Sequence, residues 1–159
     1  MGGPENRFVT MDREDVNWFL TDTNKMKSLF VPDAVPDLVD SAYAIPSSDW
    51  IKYEFVPAFK KFLFDNDLVY SEEDNDCEDF VDYGVTVGRL LYYHSPYKLK
   101  NYAISIGHLD VMENLQSHRY LMFLSHDAEL RVHVELYEAQ TQRPVEINRT
   151  NVIIWGWQM

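Results

Sequence analysis

The sequence predicts a single α+β domain, in which N-terminal helices pack on a C-terminal antiparallel sheet. Two observations lead to this class: apolar residues recur at helical spacing up to about residue 91, and they alternate with polar residues from about residue 102 onward. Helices followed by consecutive strands are typical of α+β proteins. A chain of 159 residues with 46% hydrophobic residues is long and apolar enough to form one core.

Three helices are predicted in the first part of the chain. Residues 12–26 place apolar side chains at helical spacing behind an acidic first turn, and residues 56–63 do the same with Pro57 in the first turn. The third helix starts at Asp76, so Cys77 lies in its first turn. Its apolar stripe consists of Phe80, Val81, Gly84, Val87, Gly88 and Leu91. Residues 1–45 are expected to be a helical extension of a core formed by residues 46–159.

Four strands are predicted after residue 101, over residues 102–110, 118–125, 129–138 and 151–157. A tight turn at Asp127-Ala128 would pair the second strand with the third. Glu138 continues the apolar row of the third strand, and a buried carboxylate requires a partner. The pairing brings His118 within a residue or two of Glu138, so an imidazole and a carboxylate are expected together at one edge of the sheet.

The segment EEDNDCEDF, residues 72–80, surrounds the chain's only cysteine, Cys77, with carboxylates. Such a ring by itself should raise the pKa of the thiol, because like charges disfavour the thiolate. A thiol at a helix N-terminus gains from the helix dipole, however, and a nearby imidazole can take its proton. The alternative interpretation is that Cys77 only packs as a small hydrophobic residue.

Three short motifs resemble those of a known family. DCEDFV at residues 76–81, HRYLM at 118–122 and YEAQT at 137–141 are similar to the motifs of the papain-like cysteine hydrolase domain that forms the C-terminal domain of a fungal mushroom agglutinin and occurs in related phage proteins. The matching region runs from about residue 50 to the end. Arg119 and the two residues after it replace small residues of the family motif, and Ala139 replaces a proline.

The resemblance implies a papain-like or transglutaminase-like fold and a cysteine peptidase-like activity. Cys77 would be the catalytic nucleophile, His118 its general base and Glu138 the residue that orients the imidazole. The substrate would be a peptide or protein, attacked through a thioester intermediate. Relatives of the agglutinin type are calcium-dependent, so the resemblance makes Glu78 and Asp79 candidate ligands of calcium, which is the one cofactor it implies.

Several alternatives stay open at this level. His108 rivals His118 as the base, and Glu138 could be a rim carboxylate that is paired with Arg143 or Arg149. Two other functions compete with the hydrolase: a catalytically silent, acidic protein-interaction module of phage origin, and an acidic mimic of nucleic acid.

Charge and composition exclude some partners. The formal net charge is -12, from 26 acidic and 14 basic residues, which argues against binding to nucleic acid or to an anionic membrane. A single cysteine forms no intramolecular disulfide, and together with the absence of a signal-peptide pattern this favours a cytoplasmic location. Trp155 and Trp157 share one strand face and are expected in the core or in a homodimer seam.

Overall fold

A computed structural model describes residues 7–21, 38–73, 75–113, 115–146 and 152–159. The elements, in chain order, are β1 (Phe8–Asp12), α1 (Arg13–Thr21), β2 (Ala42–Pro46), α2 (Ser48–Trp50), a π-helical segment (Ile51–Phe55), α3 (Val56–Asp65), α4 (Cys77–Tyr93), β3 (Ala103–Ile104), β4 (Ile106–Glu113), β5 (Gln116–His126), β6 (Val132–Glu138), β7 (Arg143–Val145) and β8 (Val152–Gln158). The α+β class is therefore confirmed.

The larger sheet has five antiparallel strands in the order β7-β6-β5-β4-β8. Apolar residues are buried on both of its faces. Helices α3 and α4 cover one face, where Phe55, Phe59 and Phe80 pack with Leu121 and Phe123. On the other face Val16 and Leu20 of α1 lie in one cluster with residues of β4, β5 and β6. The sheet is thus the middle layer of the molecule.

The first 45 residues differ from the predicted helical extension. Their described part contains β1 and the start of β2 as well as α1, and these strands form a three-stranded sheet with β3, in which β2 and β3 run parallel. Helix α1 covers residues 13–21, whereas the predicted helix extended to residue 26, beyond the described part of this segment. Parallel pairing joins segments far apart in sequence, so periodicity along the chain does not reveal it.

The predicted helix at 56–63 begins much earlier, at Ser48. The side chain of Ser47 accepts a hydrogen bond from the backbone N–H of Trp50 and caps this start, and a π-helical segment leads directly into Pro57. Proline has no N–H to donate, and π-helical turns absorb such interruptions of the hydrogen-bond ladder. A helix can therefore run through Pro57, which the sequence pattern placed in a first turn.

The predicted strand at 102–110 is divided between the two sheets at Ser105. The backbone N–H of Ser105 donates a hydrogen bond to Ala44 O at 3.0 Å, and the Ser105 Oγ donates one to Leu124 O at 2.8 Å. This buried residue therefore joins both sheets. Strand β6 starts at Val132 rather than at residue 129, because residues 127–131 form a turn in which Leu130 has a φ of 63°.

The helices of the described residues are all too short or too polar to span a membrane.

Candidate functional site

The N-terminus of α4 is fixed by the acidic residues that flank Cys77. The Asp76 side chain accepts hydrogen bonds from the N–H groups of Glu78, at 2.9 Å, and Asp79, at 3.4 Å. The Asp79 side chain in turn accepts the N–H of Asp76 at 3.1 Å, which completes a reciprocal capping box. Two members of the acidic ring therefore have a structural role, because they start the helix and set the position of Cys77 as its first residue.

His118 and Glu138 meet at the ends of β5 and β6. The Nε2 atom of His118 lies 2.9 Å from Glu138 Oε2, and both side chains are about one-quarter exposed. The Tyr120 ring lies 4.5 Å from the His118 ring and contacts it edge to face. The other carboxylate oxygen, Glu138 Oε1, is buried and has no hydrogen-bond partner among the described residues. Strand phase predicted this imidazole–carboxylate pair, and the structure brings the two groups into contact.

Cys77 is partly buried and lies within electrostatic range of Glu138. Burial raises the pKa of its thiol, and the charges of Asp76, Glu78 and Glu138 raise it further. A hydrogen bond from the Arg119 backbone acts in the opposite direction but does not outweigh them. The thiol is therefore more fully protonated at neutral pH than an ordinary cysteine.

The side chain of Arg119 extends to the neighbouring strand and binds Asp110. Its Nε and Nη2 donate to the two carboxylate oxygens of Asp110, at 2.6 and 3.2 Å, and its Nη1 lies 4.0 Å from Glu78. Asp110 is the residue opposite Arg119 in the β4–β5 register. The large side chain at this position therefore forms an ion pair within the sheet and links it to the start of α4.

His108, the rival base, takes part in the same ion-pair network. Its Nε2 lies 3.5 Å from Asp110 Oδ2, while Glu138 bonds to His118. Burial by itself raises the pKa of Asp110, but hydrogen bonds and charge from His108 and Arg119 outweigh it, so the pKa is lowered. His108 therefore belongs to a structural network, and His118 is the histidine paired with Glu138.

Tyr70 completes the cluster, although no motif or spacing in the sequence pointed to it. Its side chain is 45% exposed, and its ring packs edge to face on Phe80 at 6.2 Å. Its hydroxyl lies within electrostatic range of Cys77 and Glu138, and burial together with these and other neighbouring acidic groups raises its pKa. An exposed aromatic ring therefore lies within electrostatic range of Glu138. We call Tyr70, Cys77, His118 and Glu138 the edge cluster.

The other predicted site features have mixed outcomes. No group of three or more His, Cys, Asp or Glu side chains suitable for a metal ion occurs among the described residues, and Asp79 is engaged in the helix cap. Calcium binding at Glu78 and Asp79 stays a prediction.

Arg143 lies opposite Glu138 in the β6–β7 register, but the carboxylate of Glu138 contacts His118. Arg149 and the side chains of Trp155 and Trp157 lie outside the described residues, so the homodimer seam also stays a prediction.

Comparison with known proteins gives likeness in structure alone. No protein-family model and no curated protein sequence matches the chain. Two solved structures match 95% of it with 15% identity: one described as a PSL1a–E64 complex, with a TM-score of 0.73, and one of Polyporus squamosus lectin bound to the epitope Neu5Acα2-6Galβ1-4GlcNAc, with a TM-score of 0.69.

The protein shares its fold with part of the chain of Polyporus squamosus lectin. In both cases the protein spans 50% of the solved chain's length. The expected resemblance to a fungal agglutinin is thus confirmed for the fold, whereas neither structure indicates a phage relative.

The predicted papain-like cysteine hydrolase with a peptide or protein substrate is wrong. One description names a lectin with a sialylated glycan and the other names PSL1a with E64, and neither names a hydrolase, a peptide substrate, a protein-interaction module or a nucleic-acid mimic. The physical reason is that the three motifs are short. They specify a capped helix start and the ends of two strands, and this local geometry is compatible with more than one function.

Proposed function

We propose that the protein binds carbohydrate, and that the edge cluster contacts the sugar. The observation that carries the proposal is the structural likeness, over 95% of the chain, to a lectin described with a bound oligosaccharide. That description concerns the whole neighbouring chain, of which the present protein spans half. A site on this half is therefore argued from its own residues.

The edge cluster has the groups that a sugar requires. A pyranose ring presents apolar C–H groups on its faces and hydroxyl groups around its rim, so it fits an exposed aromatic ring flanked by polar side chains. Tyr70 supplies the exposed ring. His118 and Glu138 supply hydrogen-bonding groups at a partly exposed edge, and a sugar hydroxyl that reached Glu138 Oε1 would satisfy a buried acceptor.

Titration with Galβ1-4GlcNAc, the uncharged part of the epitope bound by the neighbouring lectin, tests this proposal by calorimetry and by ligand-observed NMR. Replacing Tyr70 by Ala removes the aromatic contact, and because such contacts contribute about 0.5–1.5 kcal/mol, affinity should fall roughly two- to tenfold. Glu138→Gln should weaken binding by a similar factor, because it removes a charged acceptor.

The control is Tyr53→Ala. Tyr53 is 59% exposed on the π-helical segment, so its removal takes away a comparable ring elsewhere. Lack of binding to any member of a broad glycan array would contradict carbohydrate binding. Binding that Tyr70→Ala and Glu138→Gln leave unchanged would place the sugar away from the edge cluster.

A second candidate concerns the chemistry of the same cluster, in which Cys77 would act as a catalytic nucleophile, His118 as its base and Glu138 as the group that holds the imidazole. The contact of 2.9 Å between His118 and Glu138 favours it, because such a carboxylate fixes the tautomer of the imidazole. Since the pKa of the Cys77 thiol is raised, the thiol would depend on a base to lose its proton. The electrophile is left open, and E64, named with one structural neighbour, is a suitable probe.

Thiol alkylation measures this reactivity. In the wild type, the rate of labelling by iodoacetamide should reach half its maximum at a pH above the usual thiol value of about 8.5, because the thiolate is the form that reacts. If His118 assists, His118→Ala should slow labelling about tenfold, while the control His133→Ala leaves the rate unchanged. Equal rates in wild type and His118→Ala, together with no increase in protein mass after incubation with E64, would exclude assisted reactivity at Cys77.

A further inference from the structure

We infer that the edge cluster selects glycans without negative charge, and that it disfavours the sialylated sugar named with the structural neighbour. This inference rests on the proposed carbohydrate binding and specifies the class of ligand. It is based on the carboxylates that surround the edge cluster and on the ion pair that already occupies Arg119.

Negative charge surrounds the edge cluster. Asp76 and Glu78 flank Cys77 at the start of α4, and Glu138 Oε2 lies 2.9 Å from His118 Nε2. Glu72 and Glu138 also lie within electrostatic range of Tyr70. A sialic acid carrying its own carboxylate would enter a field of the same sign, and each such repulsion weakens binding.

Arg119, the cation that the described residues place beside the cluster, is already paired. It donates from Nε and Nη2 to both oxygens of Asp110, and its third nitrogen faces Glu78. Asp110 is 7% exposed, so the pair is shielded from solvent and its geometry is constrained by the strands that carry it. A sialic acid carboxylate would have to compete with Asp110 for the guanidinium, which removes the usual means of recognising an anionic sugar.

Capping also limits how the acidic residues could adapt. Asp76 and Asp79 hold the start of α4 through backbone hydrogen bonds, so they cannot turn away from an anionic ligand without uncapping the helix. Glu78, by contrast, is 61% exposed at its side chain and takes part in the cap only through its backbone. Glu78 is therefore the residue whose charge can be removed with least damage to the fold.

The test compares Galβ1-4GlcNAc with Neu5Acα2-6Galβ1-4GlcNAc by calorimetry at neutral pH, where the carboxylate of the sialic acid is ionised. At an ionic strength of about 10 mM the uncharged disaccharide should bind at least roughly threefold more tightly, and the difference should shrink at about 0.5 M salt because the charges are then screened. The double variant Glu72→Gln, Glu78→Gln should reduce the discrimination at low salt.

The control variant is Glu129→Gln. Glu129 is an exposed carboxylate in the turn after β5, roughly 25 Å of strand away from His118, so its removal should leave the discrimination unchanged. Tighter binding of the sialylated sugar, or a preference that is independent of salt and of the double variant, would overturn the inference and leave carbohydrate binding intact. Failure of both sugars and of a broad glycan array would contradict the proposed function, and the inference would fail with it.

Discussion

At the scale of single residues, the acidic ring around Cys77 has two different roles. Asp76 and Asp79 form the capping box of α4, and their carboxylates are used by backbone N–H groups. Glu78 lies outside those side-chain bonds and adds negative charge beside the thiol and beside Arg119. The ring therefore fixes the position of the cysteine, and burial together with the charge of the ring raises the pKa of the thiol, which argues against a spontaneously reactive thiolate.

The ion pair between Asp110 and Arg119 should be the most sensitive polar contact of the site. Asp110→Asn leaves the guanidinium without its charged partner in a largely buried place, and it should lower the free energy of unfolding by about 2–4 kcal/mol, near the range for broken buried pairs. Urea unfolding at neutral pH measures this. The control Asp65→Asn removes the exposed partner of Lys61 and should cost less than about 1 kcal/mol. Equal effects of the two substitutions would contradict the assignment.

The same pair predicts a dependence of stability on pH. The pKa of Asp110 is lower in the folded protein than the unfolded value of about 3.9, so its stabilising contribution is complete above that value and is lost as the pH falls through the folded pKa. The difference in stability between wild type and Asp110→Asn should therefore narrow as the pH is lowered from about 5 to about 2. Unfolding curves across this range test it, and a constant difference would show that Asp110 does not titrate as proposed.

At the scale of elements, close contacts of glycines decide how the layers fit. Gly84 and Gly88 of α4 lie against Leu121, Phe55 and Ile106, so the helix approaches the sheet closely. Gly107 of β4 lies against the backbone of Gln158 and Met159, at the end of the chain. The spacing of Gly84 and Gly88 predicted a close approach, whereas the contact at Gly107 became visible only in the folded structure.

Substituting alanine at Gly107 and at Gly88 separates a backbone contact from a side-chain contact. At Gly107 a methyl group would overlap the backbone of β8, so the strand must move, and the substitution should cost about 2 kcal/mol or more. At Gly88 the overlap involves the Ile106 side chain and is partly offset by the better helix propensity of alanine, so the cost should be about 1 kcal/mol. Thermal unfolding ranks the two variants, and a larger loss at Gly88 would refute this order.

At the scale of the whole molecule, the net charge of -12 sets how stability responds to salt. Mutual repulsion of the carboxylates destabilises the folded state, and added salt screens it. Raising the NaCl concentration from about 10 to about 300 mM should therefore increase the melting temperature by a few degrees, about 2–4 °C for each kcal/mol gained. A decrease would show that attractive ion pairs, such as Arg7–Glu54, dominate the balance.

Calcium can be tested in the same measurement. At matched ionic strength, CaCl₂ should add a further, saturable shift in melting temperature if Glu78 and Asp79 bind the ion, because a ligand that binds only the folded state stabilises it. Glu78→Gln should then abolish the additional shift, while Glu129→Gln should leave it unchanged. Equal melting temperatures in CaCl₂ and NaCl would contradict calcium binding at Glu78 and Asp79.

Features that depend on neighbours along the chain could be predicted from the sequence. The capped start of α4 follows from local hydrogen bonding, and the meeting of His118 with Glu138 follows from strand phase and the pairing of neighbouring strands in a hairpin. The α+β class follows from the change of apolar spacing along the chain. The hairpin between β4 and β5 also contains the signal for the Asp110–Arg119 pair, since the two residues face each other in its register. Strand pairing of that hairpin would have predicted it.

Other features arise only when distant segments meet in the folded protein. Three features join segments far apart in sequence: the parallel pairing of β2 with β3, the contacts of Ser105 with both sheets, and the placement of Tyr70 within electrostatic range of Glu138. Such contacts are selected by the burial of apolar surface in the assembled layers, and periodicity along the chain does not encode which distant segments meet. The function inferred from three short motifs failed for a related reason, because those motifs specify only local geometry, and one local geometry can serve different functions.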